Sequence, residues 1–398
     1  MHIVEIPPVE EARIDIILQI WKLVNEKYPL FAERGVDWET IKYKYLQDIE
    51  TISSYGSLYK YIDRMLLELK DPHTRILVSP WFQKSFYPLV LVNIDDGLYI
   101  PFRLNKTSKL TAGMKILKVN GTPIGTIRDA IYTQFPFTSL SMRKAVLINE
   151  LMRGDFGDAI EITATDGNII KTEVIAKQDI ISFSQEQAKE GITPEVKLPQ
   201  CLAKAYADIG YIKIFAFKHK SIVHDFLKAL GECGDITSLI VDVRGNQGGL
   251  INETINMTSL FMTEERLLGY RVNNESICEE IRVRPLPGIQ QSLKNIVVLC
   301  DEFTTSSAEF IFIRALKGSS KKIRVVGKQT AGSTHEATIF PLFDGTKLQV
   351  TTFKYLAADR SIMNEVGIEP DVEVHNTVDL LTKQQDDQLE YAIKLCHD

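Results

Sequence analysis

The sequence predicts an α/β protein with more than one domain, and three observations support this fold class. From Ile209 onwards, short apolar runs typical of buried strands alternate with stretches of helical spacing. The residues before about position 70 carry helical spacing alone, whereas those from 85 to 178 alternate strand-like runs with turn signals. At 398 residues and 44% hydrophobic content, the chain is long enough to form two or three hydrophobic cores.

Residues 1–84 are predicted to form an N-terminal helical region. Two sets of apolar side chains recur at helical spacing, one including Ile16, Ile17 and Ile20 and the other including Tyr59, Ile62, Met65 and Leu66. The loop Asp71-Pro72-His73-Thr74 ends this region, because proline disfavours helix at the residue before it and lacks an N–H donor.

Residues 85–178 are predicted to form a β-rich module. Strand-like runs such as Leu89–Val92 and Ile160–Ala164 are separated by turn signals that include Asn120-Gly121. The run Leu110–Ile124 resembles the core of a PDZ domain, which implies a groove that captures an extended peptide end. A long helical stretch from Ile131 to Arg153 departs from that pattern, so a module that merely packs on its neighbours is the alternative.

A polar stretch at 179–199 is predicted to be a linker, and residues 200–398 are predicted to form the α/β core. Its strands are expected at Ile209–Ile214, Leu239–Val243, Asn295–Cys300 and Val325-Val326, with helices over Ser221–Leu230, over Thr254–Met262 and from Phe310. Such alternation implies a largely parallel sheet, and active groups gather at the strand ends of such sheets.

Composition excludes several functions. The net charge of −6 combines 46 basic and 52 acidic residues that are mixed along the chain, so no basic stripe is available to bind nucleic acid. No run of 18 apolar residues predicts a membrane span. Five cysteines without CxxC spacing argue against disulfides or a zinc site, and no metal or cofactor is expected. The first eleven residues lack the order of a secretory signal, so we expect a cytoplasmic protein, although a chain whose leader had been removed would look the same.

The segment Thr304-Thr305-Ser306-Ser307 is the candidate nucleophile site. It lies where a buried strand is predicted to turn into a helix, whose unpaired N–H groups favour developing negative charge. The alternative is that these hydroxyls only cap the helix. A second turn, Arg244-Gly245-Asn246-Gln247-Gly248-Gly249, follows another buried strand and can expose backbone N–H groups.

Together with Val325–Gly332 and Val366–Asp371, these two segments resemble four ordered motifs of the C-terminal processing, or tail-specific, serine peptidase family. The resemblance implies a crotonase-like α/β core and hydrolysis of polypeptides through an acyl-enzyme. In the family pattern S-A-S-A-S-E the middle serine is the nucleophile, which corresponds to Ser306 when Glu309 is aligned with the glutamate. The N–H groups of Ser307 and of Gly248 or Gly249 would then bind the oxyanion.

The catalytic base is where this chain departs from the bacterial processing peptidases. These enzymes carry a lysine just after a T-x-G motif, but Ser333 follows Thr330-Ala331-Gly332 here. Lys328, before that motif, is expected to be a solvated side chain. The branch that resembles the tricorn core peptidase uses a histidine from the N-terminal region, which corresponds to His73, and an imidazole can accept the serine proton near neutral pH.

The group that orients His73 is left open. The tricorn-like branch completes its relay with a glutamate, matched by Glu365, and with a serine whose position is occupied by Pro72. Asp71 is a rival orienter, and His335 is an alternative base. Arg244 is expected to brace its loop through carboxylates.

The sequence therefore predicts a serine endopeptidase with a Ser–His pair, whose partners are polypeptide substrates. The alternatives are a catalytically inactive protein that binds peptides or other ligands on the same scaffold, and an esterase or amidase that acts on small substrates. The oligomeric state is not predicted.

Overall fold

The computed structural model describes residues 10–52, 55–71, 73–78, 87–95, 97–103, 107–134, 139–152, 159–177, 200–274, 276–287, 289, 292–363 and 366–397. The chain divides into two compact units, each built from separate stretches of sequence. The first unit comprises Met1–Lys84, Gly269–Ile281 and His335–Ile362, and the second comprises Ser85–Leu268, Arg282–Thr334 and Met363–Asp398. The linker expected at 179–199 lies outside the described residues.

The described helices are α1 (Glu10–Lys27), α2 (Phe31–Arg34), α3 (Trp38–Gln47), α4 (Tyr55–Leu67), α5 (Ile124–Gln134), α6 (Leu140–Met152), α7 (Ile222–Glu232), α8 (Ile251–Ser259), α9 (Arg314–Leu316), α10 (Asp379–Thr382) and α11 (Asp387–His397). A 3₁₀ turn spans Ile49–Thr51, and a π-helix spans Ala308–Ile313. The described strands are β1 (Arg75–Val78), β2 (Val92–Ile94), β3 (Gly97–Tyr99), β4 (Lys115–Val119), β5 (Thr122–Pro123), β6 (Ala159–Thr165), β7 (Ile170–Ala176), β8 (Cys201–Tyr206), β9 (Ile209–Ile214), β10 (Ser238–Asp242), β11 (Arg266–Val272), β12 (Ile277–Val283), β13 (Asn295–Cys300), β14 (Ile323–Gly327), β15 (Glu336–Pro341), β16 (Lys347–Ala357) and β17 (Val372–Glu373).

The first unit packs helices α1 to α4 against a small antiparallel sheet. The predicted apolar faces are buried, with Ile17, Ile20 and Ile62 at 0% exposure, and they share a core with Leu348 of β16. Strand β1 pairs with the start of β16, where Arg75 lies opposite Gln349. This pairing brings the loop before β1, which carries His73, next to β16.

The second unit contains a six-stranded sheet in the order β17-β14-β13-β10-β9-β8. All neighbours are parallel except β8, which runs antiparallel to β9, so the predicted parallel sheet is confirmed. Strand β10 and residues Ile296–Cys300 of β13 are buried throughout, as their continuous apolar runs predict. Helix α11 covers one face, where Ala392 and Cys396 pack with Ile240 and Val297.

The β-rich module of the second unit has strand order β2-β3-β4-β6-β7, with β5 paired to β4. The predicted turn at Asn120-Gly121 joins β4 to β5, and both residues have positive φ, 47° and 74°. Such a turn matches the twist of a hairpin, which explains the Asn-Gly signal. The long helical stretch is divided between α5 and α6. The chain therefore has a mixed α/β fold.

Candidate active site

The turn that joins β13 to the π-helix is held by backbone hydrogen bonds. The Thr305 N–H donates to the carbonyl oxygen of Asn246 at 3.0 Å, and the Ser306 N–H donates to that of Ser333 at 2.8 Å. Ser306 has a φ of 56°, a left-handed conformation that is strained for a residue with a side chain. Strain of this kind persists where surrounding contacts enforce it, and it is concentrated at functional sites.

Burial and hydrogen bonding distinguish the four hydroxyls of this turn. The Thr304 hydroxyl donates to the Val243 carbonyl, and the Thr305 hydroxyl donates to the Ser333 carbonyl. The Ser307 hydroxyl is buried and accepts a hydrogen bond from Thr254 at 2.9 Å. Ser306 is half-buried, and among the described residues no hydrogen bond engages its hydroxyl. Ser307 occupies the N-cap of the π-helix without a side-chain capping bond, so capping does not explain the cluster.

The glycine turn after β10 lies directly against Ser306. A Cβ atom placed on Gly248 would lie 2.8 Å from the Ser306 Cβ, 2.8 Å from the Ser307 nitrogen and 3.0 Å from the Ser306 Oγ. Gly248 also has a φ of 78°. Glycine is therefore required here both for its backbone conformation and for its lack of a side chain.

The two glycine amides have different surroundings. The Gly248 N–H donates to the Asn246 Oδ1 at 2.8 Å. Gly249 forms a parallel bridge with Phe217 through the backbone groups of its two neighbours, so its own N–H and carbonyl point to the opposite side. On that side the Gly249 carbonyl lies 3.5 Å from the Ser307 hydroxyl. The Gly249 carbonyl therefore faces the nucleophile turn.

Asn246 organises both turns, a role that sequence reasoning did not assign. Its side chain is fully buried, donates to the Ile214 carbonyl at 3.0 Å and accepts from Gly248, while its carbonyl accepts from Thr305. An asparagine inside a glycine-rich turn commonly bonds to the backbone two residues on, and that signal was available in Asn246-Gln247-Gly248.

Arg244 braces the glycine turn, as predicted. Its guanidinium donates to Asp242 and to Asp386, each at 2.7–2.8 Å, and to Gln388 at 3.0 Å. Burial alone would raise the pKa of Asp242, but the charges of Arg244 and Lys213 bring that pKa below its usual value. This network ties the turn to the start of α11.

Glu309 fastens the π-helix to the Thr330-Ala331-Gly332 turn. Its buried carboxylate accepts from the Thr330 hydroxyl at 2.8 Å, from the Gly332 N–H at 2.9 Å and from the Ser333 N–H at 3.3 Å. Burial raises the pKa of Glu309 to about 7 against the lowering effect of these donors. Because the Ser333 carbonyl in turn accepts from the Ser306 N–H, Glu309 also supports the nucleophile turn.

The expectation that Lys328 is solvated is wrong. Its side chain is only 12% exposed, and its Nζ lies 3.5 Å from the Glu302 Oε1. Lys144 of α6 lies 3.6 Å from the same oxygen. The β-rich module and the turn after β13 enclose this ion pair, a tertiary arrangement that the sequence around Lys328 does not reveal.

In the first unit, His73 is associated with a buried carboxylate. Asp71 is 3% exposed and accepts from the His73 N–H at 3.1 Å, from the Thr74 hydroxyl at 2.8 Å and from the Thr351 hydroxyl at 2.6 Å. The His73 Nδ1 lies 3.5 Å from the Asp71 Oδ1. Burial would raise the pKa of Asp71, but His73, His335 and the Thr351 hydroxyl hold it well below its usual range.

His335 is unsuited to act as a base. It is 3% exposed, and burial lowers its pKa to about 3. A general base works best with a pKa near the operating pH and needs access to substrate. The His73 side chain is 23% exposed.

The predicted site residues thus fall into two sets. Ser306, Ser307, Gly248 and Gly249 lie together in the second unit, whereas His73 lies in the first. Pro72 and Glu365 lie outside the described residues. Within the described ranges, no group of His, Cys, Asp or Glu side chains is arranged to hold a metal ion. The helices that the structure describes include none long and apolar enough to cross a membrane.

Comparison with known proteins gives two family matches. Residues 208–374 match peptidase family S41, and residues 16–67 match the tricorn protease C1 domain. Carboxyl-terminal-processing peptidase 3, chloroplastic, from Arabidopsis thaliana is 26% identical over 398 aligned residues, which cover 95% of this chain and 72% of the relative.

Solved structures share the fold. Mature CPAF complexed with lactacystin aligns with a TM-score of 0.75 at 13% identity, covering 98% of both chains. The photosystem II D1 C-terminal processing protease aligns with a TM-score of 0.55 at 19% identity, covering 92% of this chain and 93% of that one.

Proposed function

We propose that this chain cleaves polypeptides through a Ser306 acyl-enzyme with His73 as the base. The premise is that residues 208–374 match peptidase family S41 and that the curated relatives are carboxyl-terminal-processing peptidases. The observation that carries the proposal is the contact between the two turns. The left-handed Ser306 presents a half-buried hydroxyl beside a glycine that leaves no space for a side chain. This arrangement suits a nucleophile next to oxyanion donors.

The oxyanion would be bound by the backbone N–H groups of Ser307 and Gly249. Ser307 begins the helical segment, where N–H groups lack partners within the helix. Gly249 is favoured over Gly248 because the Gly248 N–H already donates to Asn246. Removal of one such donor typically costs about 10²–10³-fold in kcat.

His73 would take the proton from Ser306 and return it to the leaving amine. The ionised Asp71 favours the tautomer with a proton on Nδ1, which leaves Nε2 as the acceptor. We therefore assign Asp71 as the orienter of His73. Glu365 keeps its predicted role as a further catalytic carboxylate.

A Ser–Lys pair has less support. Ser333 occupies the position where the bacterial branch carries its lysine, and Lys328 is paired with Glu302.

The substrates would be polypeptides that are processed at their C-terminal ends, because the curated relatives are named carboxyl-terminal-processing peptidases. The β-rich module contains a cavity of about 240 Å³ between β4 and helices α5 and α6. Three cationic side chains line it, those of Lys115, Arg128 and Lys144, and cations of this kind suit a terminal carboxylate. We infer a PDZ-like module at 85–178 and a crotonase-like core at 200–398.

The proposal is tested with a fluorophosphonate probe and a panel of peptides. Labelling and peptide cleavage should disappear in Ser306→Ala and fall at least about 100-fold in His73→Ala. His224→Ala, an exposed change on α7, is the control and should match the wild type. A folded wild-type protein that binds peptides but takes no label would instead be the inactive binding protein. Faster turnover of esters than of any peptide would favour an esterase.

A further inference from the structure

The two edge strands of the sheet in the β-rich module differ in length. At one edge β2 has three residues, whereas β7 at the other edge has seven and pairs only with β6 among the strands that the structure describes. The pairing of β6 with β7 runs without a shift from Ala159 opposite Ala176 to Thr165 opposite Ile170. Proteins usually protect a sheet edge with a short strand, a proline or a bulge, and β7 has none of these.

The outer face of β7 adds an apolar surface to this edge. Side chains alternate between the two faces of a strand, and Ile170 and Val174 are 69% and 63% exposed, whereas Ile175 on the opposite face is buried. Ile169, just before the strand, is also exposed. A row of β-branched side chains along such an edge indicates an interaction surface. We propose that β7 pairs with β7 of a second copy of this chain, antiparallel about a two-fold axis at Thr172.

Charge selects this register. In a two-fold pair centred on Thr172, Lys171 lies opposite Glu173 of the second copy, and Ile170 lies opposite Val174 of the second copy. Opposite charges and β-branched pairs in these positions stabilise a pair of strands. A centre at Lys171 or at Glu173 would instead place two like charges directly opposite each other, which is destabilising. The strand is therefore complementary to itself in one register.

The contacts of Glu173 are compatible with this pairing. Its Oε2 accepts from the Ser108 hydroxyl at 2.9 Å and from the backbone N–H groups of Lys109 and Leu110 at 2.7 and 3.2 Å. These three hydrogen bonds end on the same oxygen, so Oε1 is the atom that would accept from Lys171 of the second copy. The bonds also hold the carboxylate in place, which reduces the side-chain entropy lost on association.

The size of the surface predicts a weak dimer. A strand of seven residues is about 23 Å long, and pairing along one such edge buries less than the roughly 1,200 Å² at which standard interfaces begin. The formal charge of −6 on each copy adds repulsion between the copies. We therefore expect monomer and dimer to exchange with concentration, within a range of about 1 to 200 μM in sedimentation velocity.

Charge variants test the pairing. Lys171→Glu and Glu173→Lys each place like charges opposite one another in a homodimer, so each protein alone should stay monomeric. Mixed in equal amounts they should form a heterodimer, because both charge pairs are then complementary. Ile170→Lys, a change at an exposed position, should also give a monomer. Leu202→Lys is the control and should keep the dimer, since Leu202 is exposed on β8, the edge strand of the largely parallel sheet.

Cysteine cross-linking tests the register. In a Cys278→Ser background, which removes the exposed thiol, Thr172→Cys should form a disulfide-linked dimer on mild oxidation. Directly opposed residues have Cα atoms about 4.5–5.5 Å apart, a separation that a disulfide spans. Val174→Cys should not cross-link, because its two copies would lie about 13 Å apart in this register.

Three results would overturn the inference. The first is a wild-type protein that stays monomeric up to about 200 μM. The second is a dimer that persists in Ile170→Lys or that dissociates in Leu202→Lys, because another surface would then form the interface. The third is cross-linking through Val174→Cys in place of Thr172→Cys, which would exclude the two-fold axis at Thr172.

Discussion

Replacement of Gly248 by alanine tests the geometry of the nucleophile turn directly. The added Cβ would lie 2.8 Å from both the Ser306 Cβ and the Ser307 nitrogen, whereas ordinary contacts begin near 3.4 Å. The two turns would therefore have to separate by roughly 0.6 Å. A displacement approaching 1 Å at a reacting group can cost about 100-fold, equivalent to about 2.7 kcal/mol of barrier. We expect kcat/KM for a peptide to fall by about 30- to 100-fold.

Gly245→Ala is the matched control. Gly245 lies in the same turn with a φ of 72°, close to the 78° of Gly248, so alanine costs about 1–2 kcal/mol of backbone strain at either position. A Cβ on Gly245 would meet nothing within 4 Å. Gly245→Ala should therefore lose similar stability but keep activity to within about threefold. Equal losses of kcat/KM in the two variants, at matched melting temperatures, would refute the reasoning.

Further predictions concern the supports of the site. Arg244→Met should lower the free energy of unfolding by about 3–5 kcal/mol in urea titrations, because it removes the guanidinium that pairs with the buried Asp242 carboxylate and with Asp386; a loss below about 1 kcal/mol would contradict this. Glu309→Gln should lower the free energy of unfolding by about 1–3 kcal/mol and reduce fluorophosphonate labelling, because an amide cannot accept from the Thr330, Gly332 and Ser333 donors together. Unchanged labelling would show that Glu309 does not support the nucleophile turn. The pKa of His335 is about 3 when folded and about 6.5 when unfolded, so the unfolded chain binds more protons between these values. Stability should therefore fall as pH drops from about 6.5 towards 3, and His335→Phe should lose less stability over that range; parallel curves would contradict the burial of a neutral His335.

Local patterns predicted much of the second unit. Strands β9, β10, β13 and β14 lie where short apolar runs predict them, and they form the expected parallel sheet. Boundaries were less accurate, since the helix expected from Thr254 begins at Ile251. The helix starts earlier because the bridge between Gly249 and Phe217 ends the extended segment, and the helix begins two residues later.

The family was also recognised from the sequence, and the comparisons confirm it. The catalytic roles of Ser306 and His73 stay predictions. Lys328 shows where local reasoning fails. Its neighbours in sequence suggest a solvated side chain, but its partner Glu302 and the nearby Lys144 come from other parts of the second unit.

The sequence by itself determined the order of strands and helices, the glycine turn and the run of hydroxyls at a strand end. These features depend on side-chain periodicity and backbone sterics within a few residues. Tertiary structure alone decided that Ser307 is buried while Ser306 is accessible, and that Asp71 is held by Thr351, 280 positions away. Such contacts depend on which surfaces pack together, and no local pattern encodes the distance between residues so far apart in the chain.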